Sequence, residues 1–134
     1  MKLDANTHIY RQIIDDIRKK AVCGDLIPGQ KLPSVRALAD LYQINPNTAA
    51  RIYKELEAEG LAITRKGLGT YLCSDARTLS DLRELLLSDC ISRFAGEMKA
   101  LGLQPEDVFQ SAFWNQYRSR CLPPEDGSHF TDIR

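Results

Sequence analysis

INPNTAARIYKELEAEGL, residues 44–61, decides how the chain is read. From Ala49 onward it is amphipathic at helical spacing, with Ala49, Ile52, Tyr53 and Leu56 on one face and Leu61 extending it. Gly60 supplies a C-terminal stop. Asn45 can cap the helix, because its side-chain oxygen accepts from a free first-turn amide. Pro46 fits the first helical position, where the missing amide has no intrahelical partner. Asn47 and Thr48 are then left exposed in the first turn, with Arg51 three residues beyond Thr48. Asn side chains hydrogen-bond base edges, Arg makes paired bonds to guanine, and a helix N-terminus offers amides and a positive dipole end to phosphate. The stretch reads as a helix that enters a major groove N-terminus first. A plainer reading has Asn45 capping, Asn47 and Thr48 solvated, and Arg51 paired with Glu55.

The flanking segments test the first reading. Residues 7–26 predict a helix with Ile9, Ile13, Ile14, Ile17 and Ala21 as its apolar stripe, capped by Asn6 or Thr7 and ended by Gly24. Pro28-Gly29 marks a turn, and Lys31-Leu32 can form a very short strand. Residues 33–43 predict a second helix, N-capped by Ser34, burying Val35, Leu38, Ala39 and Tyr42 and leaving Arg36 outside that stripe. Residues 62–72 predict a hairpin that turns at Lys66-Gly67-Leu68-Gly69. The order of helix, short strand, helix, helix and hairpin is that of a helix-turn-helix with a β-wing. Ser34, Arg36, Asn45, Pro46, Asn47, Thr48, Arg51, Arg65, Lys66, Gly67, Gly69 and Thr70 would then lie on one DNA-facing surface. Arg36 can equally form a surface ion pair, and Arg65 and Lys66 can simply be solvated.

These motifs resemble the winged-helix domain of GntR-family transcription factors. Pro33-Ser34-Val35-Arg36-Ala37-Leu38-Ala39, Leu56-Glu57-Ala58-Glu59-Gly60-Leu61 and Gly67-Leu68-Gly69-Thr70-Tyr71 stand in the family's order and separations, and the match covers residues 9–72. The recognition helix departs from the commonest family form. Asn-Pro-Asn-Thr replaces a Ser-Arg opening, and Arg51 falls one position later than the usual arginine. That variation resembles the YtrA subfamily. Contacts carry over more directly at Arg36, Thr48, Gly69 and Thr70 than along the rest of that helix.

The second half differs in character. Residues 74–79 read as a polar connector. Residues 78–103 read as a long helix capped by Thr78 or Ser80, and 104–122 as one further helix beginning at Pro105. Residues 76–134 are too few for the large ligand-binding or aminotransferase-like domains of other GntR relatives. The resemblance to YtrA implies a two-helix dimerisation element. Leu82, Leu86, Phe94, Phe109, Phe113 and Trp114 are its expected packing and interface residues, with a small ligand pocket among the aromatics as the sharper alternative. The fold class is therefore mainly α with a small β-wing: a winged helix-turn-helix over 1–75, a two-helix dimerisation region over 76–122, and a mobile tail over 123–134, where Phe130 and Ile133 could still dock.

Composition bounds the function. Among 134 residues, 43% are hydrophobic and formal net charge is zero. Residues 1–75 hold 11 Lys and Arg against 9 Asp and Glu, and residues 76–134 hold 7 against 9. This weak asymmetry fits one DNA-binding half. No apolar run approaches the roughly 18 residues of a membrane span, and MKLDANTHIY has no signal-peptide pattern, so a cytoplasmic protein with no membrane partner is expected. Cys23, Cys73, Cys90 and Cys121 lack metal-ligand spacing and read as free, mainly buried thiols, with a redox role left open. His8 and His129 stand alone. No nucleophile-base set, paired apolar carboxylates or phosphate loop is present, so no catalytic residue, metal or cofactor is expected. The leading reading is a homodimeric, sequence-specific repressor of a palindromic operator. The resemblance to the YtrA subfamily implies control of a transporter operon. An unknown small-molecule effector acting between the C-terminal helices is the open partner. The rival reading, favoured slightly by the near-zero charge, is a winged-helix protein-interaction module.

Overall fold

In the computed structural model, residues 9–121 are described. Asn6, Thr7, His8 and His129, and the expected mobile tail 123–134, lie outside the described residues. The chain forms two compact units, residues 1–87 and 88–134.

In the first unit, helices α1 (Ile9–Cys23), α2 (Val35–Tyr42) and α3 (Pro46–Ala58) surround one core, and strands β1 (Ala62–Arg65) and β2 (Gly69–Leu72) form an antiparallel hairpin. The core follows the sequence stripes. Ile13, Ile14 and Ile17 come from α1, Leu38 and Ala39 from α2, and Ala49, Ile52, Tyr53 and Leu56 from α3, all buried. Each fully buried Ile or Leu contributes about 1.5–3 kcal/mol of transfer free energy, so the stripe residues dominate this unit's stability. Ala62 and Leu72 close the core from the hairpin, where they are register partners. Lys31 bridges to Tyr71, and the amide of Leu32 donates to the Thr70 carbonyl at 2.8 Å. The short strand expected at 31–32 is thus reduced to a single bridge on β2.

The hairpin loop is one residue shorter than expected. Arg65 pairs with Gly69, which places Gly69 in β2 and leaves Lys66-Gly67-Leu68 as the loop. The Leu68 amide donates to the Arg65 carbonyl at 2.9 Å, with Gly67 at φ 78° in the third turn position. That is the position where a type II turn demands positive φ.

Helix α4 (Ala76–Ala100) starts two residues before the expected 78, and its cap is neither Thr78 nor Ser80. The Asp75 carboxylate accepts from the Arg77 amide at 3.4 Å and from the Thr78 amide and hydroxyl at 3.3 and 2.7 Å. A carboxylate is stabilised at the positive helix end more than a hydroxyl is, and these bonds, Thr78's first, lower the Asp75 pKa. The expected connector is therefore the first turn of the helix. Leu79 and Leu82, from that start of α4, pack against the winged-unit core. Leu82, expected at a dimer interface, is half-buried by its own unit.

The second unit contains the end of α4, then α5 (Pro105–Gln110) and α6 (Ala112–Cys121). The single helix expected over 104–122 is broken at Ser111, whose backbone is extended (ψ 141°). Its hydroxyl accepts from the Trp114 amide at 3.0 Å, acting as an N-cap and restarting the helix. Among described residues 88–121, Met98 alone is buried. Phe109 and Trp114 meet edge to face at 5.9 Å, and Trp114 stacks on Tyr117 at 6.0 Å. The thiols also depart from expectation. All four are free, but only Cys73 is buried, while Cys23, Cys90 and Cys121 are exposed at positions outside any packed stripe.

Candidate nucleic-acid interface

The turn between α2 and α3 spans Gln43, Ile44 and Asn45. Gln43 takes a left-handed conformation (φ 53°), and the Ile44 amide donates back to the Ala39 carbonyl at 2.9 Å. Half-buried Ile44 packs on the core and fixes where α3 begins. Asn45 Oδ1 then accepts from the Asn47 amide at 2.8 Å, and Pro46 opens the helix. Asn45, Pro46 and Asn47 are exposed, Thr48 is half-buried and Ala49 is fully buried. The small Ala49 lets the first turn lie close to the core while its polar neighbours face out.

Tyr53 anchors α3 to the segment before α2. Its hydroxyl donates to the Pro33 carbonyl, and burial pushes its pKa up to about 12, with Tyr42 adding to the rise. Ser34 Oγ accepts from the Ala37 amide at 3.1 Å, so Arg36 sits, exposed, in the first turn of α2. A second brace joins α1 to α2: Tyr42 donates to Asp16 at 2.6 Å, and Lys20 Nζ lies 3.0 Å from the same Asp16 oxygen.

Arg51 is well exposed yet not loose. Its Nε lies 3.8 Å from Glu55 Oε1, the partner named by the plainer sequence reading. Its guanidinium also lies 4.1 Å from the centre of the Tyr10 ring, with Nη2 3.3 Å from the Tyr10 hydroxyl.

On the wing, Arg65, Lys66 and Gly67 are exposed and Gly69 and Thr70 half-buried. Arg65 stacks its guanidinium 5.3 Å from the Tyr71 ring. The Thr70 hydroxyl turns to Thr64 at 3.3 Å, and Thr64 donates to Glu57 on α3. The Thr64 hydroxyl therefore ties the wing to the recognition helix, with Thr70 beside it across the hairpin. Gly69 has φ 117°, and a Cβ there would stand 2.9 Å from Lys31 Cε. Lys31 is thus a further cation beside the wing, and neither it nor Tyr10 was singled out from the sequence. Tyr10 continues the stripe of Ile13, Ile14 and Ile17 one turn back. Tyr10 therefore carried a periodicity signal, and Lys31 carried none.

The expected residues thus fall on three elements of one unit, α2, α3 and the wing. Ser34 and Arg36 open α2, Asn45 to Arg51 open α3, and Arg65 to Thr70 form the wing. Of the six expected dimer residues, Phe109 and Trp114 meet edge to face in the second unit. Leu82 packs on the winged-unit core and Leu86 is half-buried, while Phe94, Phe109 and Phe113 are 50%, 65% and 83% exposed. Among the described residues no His, Cys, Asp and Glu group has a metal-holding arrangement, and no helix is long and apolar enough to cross a membrane. A cleft of about 480 Å³ lies at the far end of α3 from Asn45, lined by Arg18, Glu59, Leu61 and residues of the start of α4.

A three-helix core, an exposed polar opening to its third helix and a β-wing beside it define a winged helix-turn-helix DNA-binding unit. The family model for bacterial regulatory proteins of the gntR family matches residues 9–72. The chain is 40% identical over 102 residues to the uncharacterized HTH-type transcriptional regulator YhcF of Bacillus subtilis, covering 76% of this chain and 84% of that protein. It is 47% identical over 74 residues to the HTH-type transcriptional repressor YtrA of Bacillus subtilis, covering 55% of this chain and 57% of YtrA. A GntR family transcriptional regulator from Listeria monocytogenes superposes with a TM-score of 0.75 at 36% identity, covering 80% of this chain and 94% of that one. The chain belongs to the GntR family of bacterial transcriptional regulators.

Proposed function

We propose that the chain is a homodimeric repressor that reads a palindromic operator, with the first turns of α3 in successive major grooves. The observation that carries this is the opening of α3. Asn45, Pro46 and Asn47 are exposed on a rigid turn, Arg51 follows one turn on, and buried Ala49 and Ile52 hold the helix from beneath. Such a turn presents amides to phosphate and side chains to base edges. The wing cations Arg65 and Lys66 would contact phosphate and supply affinity more than sequence choice. The repressor sense is supported by the likeness to YtrA, which is a repressor by name. A transporter operon is the target the subfamily resemblance implies.

Dimerisation is supported by residues 88–121, where Phe94, Phe109 and Phe113 are exposed and, among the described residues, Met98 alone is buried. A two-fold copy is the usual cover for such a patch. An effector could act by changing the spacing of the two recognition helices.

The test is selection of bound duplexes from a randomised library by the full chain, followed by titration at several salt concentrations. The expected result is an inverted repeat with half-sites about one helical turn apart, roughly 34 Å. Lys66→Ala should weaken the selected and a scrambled duplex alike and lower the salt slope by about one unit. No enriched motif, with no salt-dependent binding, would sink the reading in favour of a protein-interaction module.

A further inference from the structure

Tyr10 lies 41 residues from Arg51 in sequence and meets it across α1 and α3. Its ring packs half-buried on the core, so its place is set by the fold. On its outer side the Arg51 guanidinium stands 4.1 Å from the ring centre, and the Arg11 guanidinium lies 5.6 Å from the same ring. The Tyr10 hydroxyl is 3.3 Å from Arg51 Nη2, and Glu55 Oε1 is 3.8 Å from Nε. Arg51 is thereby held from two sides while its side chain stays 61% exposed.

An arginine on a helix surface samples many rotamers, and binding through it requires one to be selected. A guanidinium laid on an aromatic face keeps its charge and some of its five donors for another partner. Among the described residues, the donors turned to Tyr10 and Glu55 are engaged, which leaves others for a base edge. Glu55 alone would be a weak constraint, because exposed ion pairs are worth little. A ring anchored in the core is a stiffer one.

We infer that Tyr10 is a positioning residue for Arg51: its ring is the platform that presents the guanidinium to DNA, so a residue of α1 sets the base preference of α3. This rests on the reading of α3 as the helix that enters DNA, and on Arg51 as one of its base-reading side chains. The alternative is that Tyr10 sequesters Arg51, and the two make opposite predictions.

The test uses the full chain as wild type, Tyr10→Phe, Tyr10→Leu, Tyr10→Met, Arg51→Ala and the double variant Tyr10→Leu/Arg51→Ala. The probes are the duplex best enriched by wild type from a randomised library, and a scrambled duplex. Arg51→Ala should weaken the enriched duplex about 10–100-fold and erase preference at one motif position. Tyr10→Leu should weaken it about tenfold, change the scrambled duplex less than about twofold, and blur the same motif position. Tyr10→Phe, which keeps the ring, should stay within about threefold of wild type. The double variant should bind no worse than Arg51→Ala. Tyr10→Met fills similar space without a π face and stands in if the leucine variant melts. Loss on both duplexes with no change of motif would make Tyr10 merely structural. Unchanged or tighter binding by Tyr10→Leu or Tyr10→Met would overturn the proposal while a base-reading Arg51 stands. An Arg51→Ala variant that binds and selects as wild type would overturn the reading of Arg51 itself, and this inference with it.

Discussion

The winged unit and the second unit put their apolar residues to opposite effect. In the first, residues from three helices and a hairpin converge, and Ile13, Leu38, Ile52, Leu56 and Leu72 are no more than 2% exposed. In the second, Ile91 and Phe94 on α4 and Phe113 on α6 stay exposed, Phe113 at 83%. Cover, not periodicity, separates the two. The stripes of α1, α2 and α3 recur at helical spacing, so each helix has an inside. In the second unit's part of α4, Ile91, Phe94 and Met98 share one helical stripe, but only Met98 is buried. A segment of this kind has too little core of its own and depends on a neighbour for stability.

The largest expected effect breaks the first side of this comparison. Ile52→Ala, at a side chain with no exposure, should cost about 2–5 kcal/mol and lower the melting temperature of the full chain cooperatively. Phe113→Ala removes more surface but should change that melt by less than about 0.5 kcal/mol. Urea melts of the two variants decide it. Equal losses would mean that the second unit is as tightly packed as the first.

The next effect concerns where the winged unit ends. Leu79 and Leu82 pack against its core, although the sequence places the boundary at residue 75. A chain ending at Leu87 should melt as one unit. A chain ending at Asp75 should be less stable by about 1–3 kcal/mol, from two half-buried leucines and the exposed core beneath them. If both melt alike, Leu79 and Leu82 lie on the core without stabilising it.

A third prediction concerns the second side. Phe94→Ser with Phe113→Ser should convert a sedimenting dimer to monomer with the winged unit's melt unchanged. Tight operator binding should then fall by roughly 10²–10⁴, because the second half-site contact is no longer effectively intramolecular. A variant that stays dimeric would place the interface elsewhere.

Legibility in the sequence followed the same divide. The Asn45 cap, Pro46 start and Gly60 stop of α3 were readable because each end residue has one conformational role. The wing was readable to within one residue, since the glycines signal the turn but not which strand Gly69 joins. The second unit was less legible. Asp75 out-competed Thr78 and Ser80 as a cap, and Ser111 broke an unbroken-looking helix by capping the next one. Both outcomes depend on small differences between neighbouring polar residues, which apolar periodicity does not register. At the site, exposed residues such as Asn47 and Arg65 could be assigned from one segment. The Tyr10 and Lys31 contacts join elements distant in sequence, and no local pattern states them.

The smallest expected effect is a pH dependence confined to the winged unit, from the brace of Asp16, Tyr42 and Lys20 between α1 and α2. Burial raises the Asp16 pKa, but hydrogen bonds from Tyr42 and Lys20 outweigh it, and the net shift is downward. A carboxylate with a depressed folded pKa contributes stability that is present above its unfolded value of about 3.9 and is lost as pH falls through the folded value. The partners titrate at the other end. The Asp16 hydrogen bond raises Lys20 against the opposing effect of burial, and burial, then Asp16, raises Tyr42. Groups with raised folded pKa values stabilise fully below their unfolded values of about 10 and lose that contribution as pH rises through the folded ones. The brace should therefore act from about pH 4 to about pH 10 and fade outside that window. Side-chain exposures of 26% for Asp16 and 40% for Lys20 let solvent screen the pair, so the effect should be at most about 1 kcal/mol. Urea melts of wild type and Asp16→Asn at pH 3, 7 and 10.5 measure it. The difference should be largest at pH 7 and narrow toward pH 3. A difference that persists undiminished at pH 3 would assign the loss to packing around residue 16 and not to its charge.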